Sequence, residues 1–280
     1  MKKKMTIVIL SLFALILFYI GLHFVPALLA PRGYSAAKIK GLEIVGHRGG
    51  ASLAPENTLA CIEAGIQAGA PIIEIDIHES RDHQLIVCHD QTVDRTTNGS
   101  GRIEDLTLAQ IRKLRIKSKD GEIMPYGMPT LDEVMHLVAG RATLLIEIKR
   151  TGNIYPNIER LLCETIRKHE AREWTIVQSF NDGVLERIHQ LDPGMRLEKL
   201  IVAKLIGLPL CFDGTITSFT PEKYRHVESV NPWQYTVSQG FIDHVQAQGK
   251  RVRLWTAGRP EQTPRFSVNS IITNYPQAWK

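Results

Sequence analysis

Glu74-Ile75-Asp76 sits inside an apolar run that reads as a β-strand, and Cys88-His89-Asp90 follows soon after. Strand alternation puts the two carboxylates on one face. A carboxylate pair is a hard-oxygen donor set suited to Ca2+ or Mg2+, and a histidine beside it, with an unperturbed pKa near neutrality, moves protons at ordinary pH. That combination points to metal-assisted chemistry at phosphate. The competing reading is ion pairing with Arg48 or Lys149, because an acid within an apolar strand is costly unless paired or metal-bound.

The elements that must hold these groups follow from hydrophobic periodicity. Glu43–Val45, Ile72–Ile77, Leu85–Cys88, Thr143–Ile148, Thr175–Gln178, Leu197–Val202, Gly214–Thr217, Arg251–Trp255 and Ser270–Thr273 read as strands. Thr58–Ala68, Leu106–Leu114, Leu131–Val138, Ile154–His169, Asp182–Gln190 and Ser238–Gln248 read as helices. The alternation predicts an α/β fold with a largely parallel sheet, and the roughly 240 residues from Gly41 to Lys280 match one (β/α)8 (TIM) barrel. Between Ile77 and Leu85 the polar connection is too short for a parallel crossover, so this pair is expected to be an antiparallel hairpin. With its tip near Asp82 and His83, Asp76 falls roughly opposite His89. The polar segment Asp90–Gly127 predicts a small inserted lid over the site.

The first forty residues are of another kind. Met5–Ala30 contains no Asp, Glu, Lys or Arg, follows Lys2-Lys3-Lys4, and is long enough for a transmembrane helix. A cleaved signal peptide would carry a shorter apolar region ending in an A-x-A-like site, which Leu28-Leu29-Ala30 does not resemble. The expectation is therefore a cytoplasmic tip at 1–4, a single-pass signal-anchor at 5–30, a linker at 31–40 and a catalytic domain at 41–280 on the periplasmic or extracellular side. Six of the 34 basic residues precede Gly41 with no acid among them, so the remainder is near neutral against 29 acids. No nucleic-acid partner is expected from such a balance. Cys61, Cys88, Cys163 and Cys211 show no metal-ligand or disulfide spacing and read as buried thiols. Cys88 should face away from His89 and is not a nucleophile.

Gly46-His47-Arg48-Gly49-Gly50-Ala51, Ala54-Pro55-Glu56-Asn57-Thr58, the Glu-Ile-Asp and His-Asp motifs, Arg95-Thr96-Thr97-Asn98-Gly99-Ser100-Gly101, Pro129-Thr130-Leu131 and Glu147-Ile148-Lys149 occur in that order. Together they closely resemble the signature of the glycerophosphodiester phosphodiesterase family of metal-dependent TIM-barrel enzymes, from about Glu43 onward. The resemblance implies Glu74, Asp76 and Glu147 as ligands of a divalent cation, Mg2+ or Ca2+, and His47 and His89 as the acid/base pair. It implies Arg48 as a phosphate-binding residue, a role its planar fork suits. Lys149 shares a strand face with Glu147 and can neutralise a phosphate oxygen. Glu56 is expected to support Arg48 or a metal-bound water. Trp255 is read either as an apolar wall for the alcohol or as core packing. Two departures stand out: Asn274 where the family more often has aspartate, and Ala257-Gly258 in place of Val-Asn. Neither is expected to touch the chemistry.

The implied reaction is hydrolysis of a glycerophosphodiester to sn-glycerol 3-phosphate and an alcohol. A lysophospholipase D acting at a membrane and a catalytically silent headgroup-binding protein are the alternatives. Two histidines beside three acids and two cations speak against silence, since a binder needs no proton donor.

Overall fold

The computed structural model describes residues 2–149, 155–220 and 222–280. The chain runs through α1 (Lys2–Leu22), α2 (Val25–Leu29) and α3 (Ala36–Ile39) into β1 (Glu43–Gly46), α4 (Leu59–Gln67), β2 (Ile72–Glu79) and β3 (Leu85–Val87). After α5 (Leu108–Ile111) come α6 (Leu131–Val138), β4 (Thr143–Ile148), α7 (Ile158–Lys168), β5 (Thr175–Ser179), α8 (Asp182–Leu191) and β6 (Arg196–Ile201). The last part is β7 (Ala203–Lys204), β8 (Leu210–Phe212), β9 (Ile216–Ser218), β10 (Ser229–Pro232), α9 (Gln239–Ala247), β11 (Arg251–Ala257) and β12 (Ser270–Thr273). Strands β1, β2, β4, β5, β6, β10, β11 and β12 are joined in parallel, and β1 pairs with both β12 and β2 to close the barrel. The TIM barrel read from the sequence is therefore present.

Pleating sorts the side chains of β2 and β4. Ile73, Ile75 and Ile77, with Leu144, Ile146 and Ile148, point outward into one apolar cluster that also holds Leu131, Val134, Leu162 and Leu185 of the surrounding helices. The alternate positions face the barrel interior and are free to carry function. Polar caps start the helices: Thr58 accepts from the Cys61 N–H, and Thr130 with Glu133 forms a capping box at α6.

The expected hairpin is β2–β3, antiparallel. Its register pairs Ile77 with Val87, so Asp76 lies opposite Cys88, not His89, and the Cys88 N–H donates to the Asp76 carbonyl at 3.0 Å. The one-residue difference arises because the turn centres on Asp82 alone. β3 ends at Val87, so strand alternation no longer dictates where His89 points. The segment after it, expected as a lid, packs around its own core of Ile86, Cys88, Val93, Ile103, Ile111, Ile116 and Met128.

Two expectations are corrected. Gly214–Thr217 is not a barrel strand: β7, β8 and β9 form a separate antiparallel ribbon with a tight turn at Asp213–Thr215. The barrel strand at that point is β10, Ser229-Val230-Asn231-Pro232, which lacks an apolar run because its interior neighbours are polar. The Asn231 side-chain N–H groups reach Gln178 Oε1 and Glu198 Oε2 at 3.0 and 2.8 Å. The uninterrupted helix over Met5–Ala30 is also not formed, and among the described residues no helix is long and apolar enough to cross a membrane. α1 stops at Leu22, where His23 turns inward: its Nδ1–H donates to the Tyr19 carbonyl at 3.0 Å and its Nε2 accepts from the Ile206 N–H at 3.3 Å. Ile154, the expected first residue of α7, lies outside the described residues. Beyond α2, the stretch expected as a linker lies on the barrel, with Arg32 bridged to Pro264 and Tyr34 buried against Trp279.

Candidate active site

Glu74, Asp76 and His78 occupy successive inward positions of β2, and Glu147 the adjacent inward position of β4, paired in register with Asp76. Glu74 and Asp76 are fully buried and Glu147 nearly so. One carboxylate oxygen from each of the three acids falls within 4.8 Å of the others, the spacing of a shared cation. Three carboxylates so close oppose one another's ionisation. Burial, then Asp76 and Glu147, push the Glu74 carboxyl well above its usual range, and burial raises Glu147 to about 7 although Lys149 opposes it. Asp76 is held low against its own burial by Lys149, His89 and Arg48. Asp76 Oδ1 is buried without a well-formed hydrogen bond, its nearest cation being Lys149 Nζ at 3.1 Å. An all-oxygen, acid-rich cluster with an oxygen left over fits a hard divalent cation held by Glu74, Asp76 and Glu147.

The ion pairs considered from the sequence are present as well. Lys149 Nζ lies 2.6 Å from Glu147 Oε1, and Arg48 Nε 3.8 Å from Asp76 Oδ2. Pairing and cation binding are compatible, since each acid has two oxygens. Arg48 sits in the left-handed region at φ 53°, just past β1, and there its backbone N–H donates to Glu74 Oε2 at 2.7 Å. Its guanidinium is tied to Glu56 at 2.8 Å. Glu56 thus contacts Arg48, one of the two supports expected of it, and also receives Arg95 at 2.6 Å. Arg95 in turn pairs with Asp90.

His47 and His89 both reach the cluster. A cavity of about 100 Å3 is lined by both histidines together with Arg48, Glu147, Lys149 and Trp255. It adjoins a cavity of about 710 Å3 bounded by His78, His89, Lys149, Phe180 and the Asp213–Thr215 turn. His47 Nδ1 donates to Asn274 Oδ1 at 2.6 Å and His89 Nδ1 to Asp90 Oδ1 at 2.7 Å, which in both rings leaves Nε2 for proton transfer. Burial, reinforced by Arg48, pulls His47 down to about 4, and burial also lowers His89. Cys88 faces the insertion's core with its thiol pushed up to about 12 by burial, as expected of an inert residue. Trp255 meets Phe180 edge to face at 5.5 Å, so it is a wall of the smaller cavity and a packed ring at once.

Asn274 corrects an expectation, because it touches His47 directly. Four further residues were not singled out from the sequence. Asn57, at φ 57°, donates to Asp76 Oδ2 at 2.8 Å and accepts the Asp76 N–H. Asp90 and Arg95 orient His89 and Glu56. His78 Nε2 donates to the His89 carbonyl at 3.1 Å while its Nδ1 meets the Tyr155 hydroxyl at 2.8 Å. For His78 a signal existed: it continues the inward alternation of Glu74 and Asp76.

Every one of these groups stands at the carboxyl ends of the barrel strands, where TIM-barrel enzymes carry their chemistry. Fold and site define a barrel hydrolase built on an acidic cluster flanked by histidines and cations. The chain belongs to the glycerophosphoryl diester phosphodiesterase family, whose model matches residues 47–278. It is 32% identical to a glycerophosphodiester phosphodiesterase of Caldanaerobacter subterraneus subsp. tengcongensis, covering 84% of this chain and 94% of the relative. A glycerophosphodiester phosphodiesterase of Bacillus subtilis is 29% identical across 96% of this chain and 95% of its own. The fold is that of an Oleispira antarctica phosphodiesterase solved with the product sn-glycerol-3-phosphate, with a TM-score of 0.70, 22% identity and coverage of 87% and 97%.

Proposed function

We propose that the protein hydrolyses glycerophosphodiesters to sn-glycerol 3-phosphate and an alcohol, with a divalent cation, Mg2+ or Ca2+, held by Glu74, Asp76 and Glu147. The observation that carries this reading is the clustering of those three buried acids, one of which, Glu147, lines a cavity shared by two histidines with free Nε2 atoms and two cations. When bound, the cation supplies Lewis-acid stabilisation of charge on the phosphoryl oxygens. Arg48 and Lys149 hold the phosphodiester beside it and offset the negative charge that grows in the transition state. His47, neutral at ordinary pH because of burial, takes the proton of the attacking hydroxyl at Nε2. His89 is more open and bonded to the Asp90 carboxylate, so it is the ring more easily kept as imidazolium, and it protonates the leaving alkoxide. The attacking group is water, or the glycerol 2-hydroxyl by way of a cyclic phosphate. Phe180 and Trp255 face the alcohol.

Chelation should abolish turnover of glycerophosphocholine, and added Mg2+ or Ca2+ should restore it. The same cation should raise the thermal midpoint of the wild type but not of a Glu74→Gln/Asp76→Asn variant, since ligand binding to the folded state alone stabilises it. Full activity of that variant in chelator would refute the reading.

The exposed apolar N-terminal segment favours a membrane-attached protein with a role in glycerophospholipid metabolism, and the reading that its catalytic domain lies on the non-cytoplasmic side rests on the Lys2-Lys3-Lys4 flank alone. The charge-free part of α1, Met5–Leu22, is about 27 Å long at ~1.5 Å per residue, just short of a ~30 Å hydrocarbon core. Most of its residues are apolar, and those from Val8 to Leu10 and from Leu15 to Phe18 are more than half exposed. A lysophospholipid is the second substrate reading that such attachment favours. Comparing glycerophosphocholine with lysophosphatidylcholine in one metal-supplemented assay separates the two.

A further inference from the structure

Membrane attachment by α1 does not by itself say which way the catalytic end of the barrel faces. The contacts of α1 do. At 3.6 residues per turn, Leu10, Leu12, Phe13, Leu15 and Phe18 point around the whole circumference of the helix, and each is more than half exposed. A protein partner would cover one stripe; a helix apolar on every side calls for an apolar medium. The occupant consistent with α1 is a lipid bilayer.

The end of this helix is fastened to the barrel. The Tyr19 hydroxyl donates to the Ile206 carbonyl at 3.0 Å, His23 accepts the Ile206 N–H, and Phe24 meets Trp233 edge to face at 6.0 Å. Ile206 belongs to the loop between β7 and β8. At the opposite end of the same ribbon, the Asp213–Thr215 turn lines the 710 Å3 cavity. The ribbon therefore reaches from the apolar helix to the catalytic cleft. Ile206, Leu208, Phe212 and Ile216 lie along it, exposed by 46%, 46%, 40% and 68%. Apolar side chains gathered on one exposed element, continuous with a helix that needs lipid, mark an interaction surface rather than scattered exposure.

We propose that the β7–β9 ribbon is a lipid-contacting surface that rests in the headgroup and acyl boundary and seats the mouth of the active site on the bilayer. This rests on the reading that α1 attaches the protein to a membrane. Burying exposed aliphatic and aromatic side chains a few ångströms into that boundary is what drives interfacial association, and the ribbon offers them beside the cleft. The cleft then opens at headgroup depth, where the phosphodiester of a lipid lies.

All four native cysteines are buried, so a single cysteine introduced by Ile216→Cys can be labelled selectively with an environment-sensitive fluorophore. The full-length labelled protein is mixed with vesicles of phosphatidylcholine and phosphatidylglycerol, some carrying a spin-labelled quencher near the headgroup. The label at 216 should shift to shorter wavelength and be quenched, while the same label at Gln67→Cys, at the other end of the barrel, should stay unchanged. Vesicle-bound protein with no shift at 216, or equal shifts at both sites, overturns the proposal. Protein that fails to co-sediment with vesicles overturns the attachment reading and this proposal together. Hydrolysis of soluble glycerophosphocholine by the same samples reports on the catalytic reading alone.

Discussion

His47 draws its orientation from Asn274, an uncharged partner, and this gives the ring a specific electrostatic setting. Placing a negative charge at that oxygen favours the imidazolium. Asn274→Asp should therefore raise the His47 pKa, so that the base is lost to protonation sooner as pH falls. The acid limb of the kcat/KM profile should move to higher pH, and an unmoved limb would remove His47 from the role of base. The division of labour between the rings has its own test. His47→Ala or His89→Ala should each lower kcat on glycerophosphocholine by about 10²–10⁴. A nitrophenyl phosphodiester, whose leaving group needs little protonation, should rescue the His89 variant far more than the His47 variant. Both histidines, both cations and the three acids were legible because they sit in short contiguous motifs. Asn274 was legible only as an oddity: its partner lies 227 residues away in the chain, and no local pattern connects them. His78 was hidden by a different cause, since a histidine on a strand reads first as a packed polar residue.

Among the elements, those with clear periodicity were found almost to the residue, as with β4, β12 and α6. The missed barrel strand, β10, has a clear physical origin. β10 carries Ser229 and Asn231 inward because, beside the apolar cluster of Val45, Ile72, Leu145, Ile176 and Ile272, the barrel interior holds a polar network that they complete. At its centre Arg253, fully buried, donates to Glu198 at 2.8 Å, Glu43 at 2.9 Å and Ser270 at 2.8 Å. A strand that completes such a network has no hydrophobic signature to read. The network also sets a stability expectation. Arg253→Met leaves the buried Glu198 carboxylate without its cation and should destabilise the fold by about 3–5 kcal/mol, seen as a lowered midpoint in urea. A loss within experimental error would refute a stabilising role for the Arg253–Glu198 pair.

For the molecule as a whole, the start of the catalytic domain can be placed by what the barrel needs. Tyr34 packs on Trp279, and its hydroxyl bonds with the backbone of Phe266, accepting from the N–H at 3.0 Å. Ile39 lies in the same apolar cluster. A chain beginning at Pro31 loses the Phe24–Trp233 contact and the buried Ala27, so it should melt slightly below the full-length protein, keep its soluble activity, and sediment with vesicles far less. One beginning at Gly41 should lose at least about 2 kcal/mol, the order of burying one large side chain, and melt lower by calorimetry. Equal melting temperatures for the two would return residues 31–40 to the status of a passive tether.

The pairing that closes the barrel has a kinetic meaning. Glu43 aligns with Ser270 across nearly the whole domain, whereas β2 and β4 meet over a far shorter stretch of chain. Closing a long loop costs more entropy than closing a short one, and contacts so distant in sequence form late. The acids of β2 and β4 therefore come together while the first strand still lacks its last neighbour, and His47 gains Asn274 only at the final closure. During refolding, the capacity to hold a cation should precede the capacity to move a proton, an order that cation binding and recovery of activity followed in the same stopped-flow experiment would check.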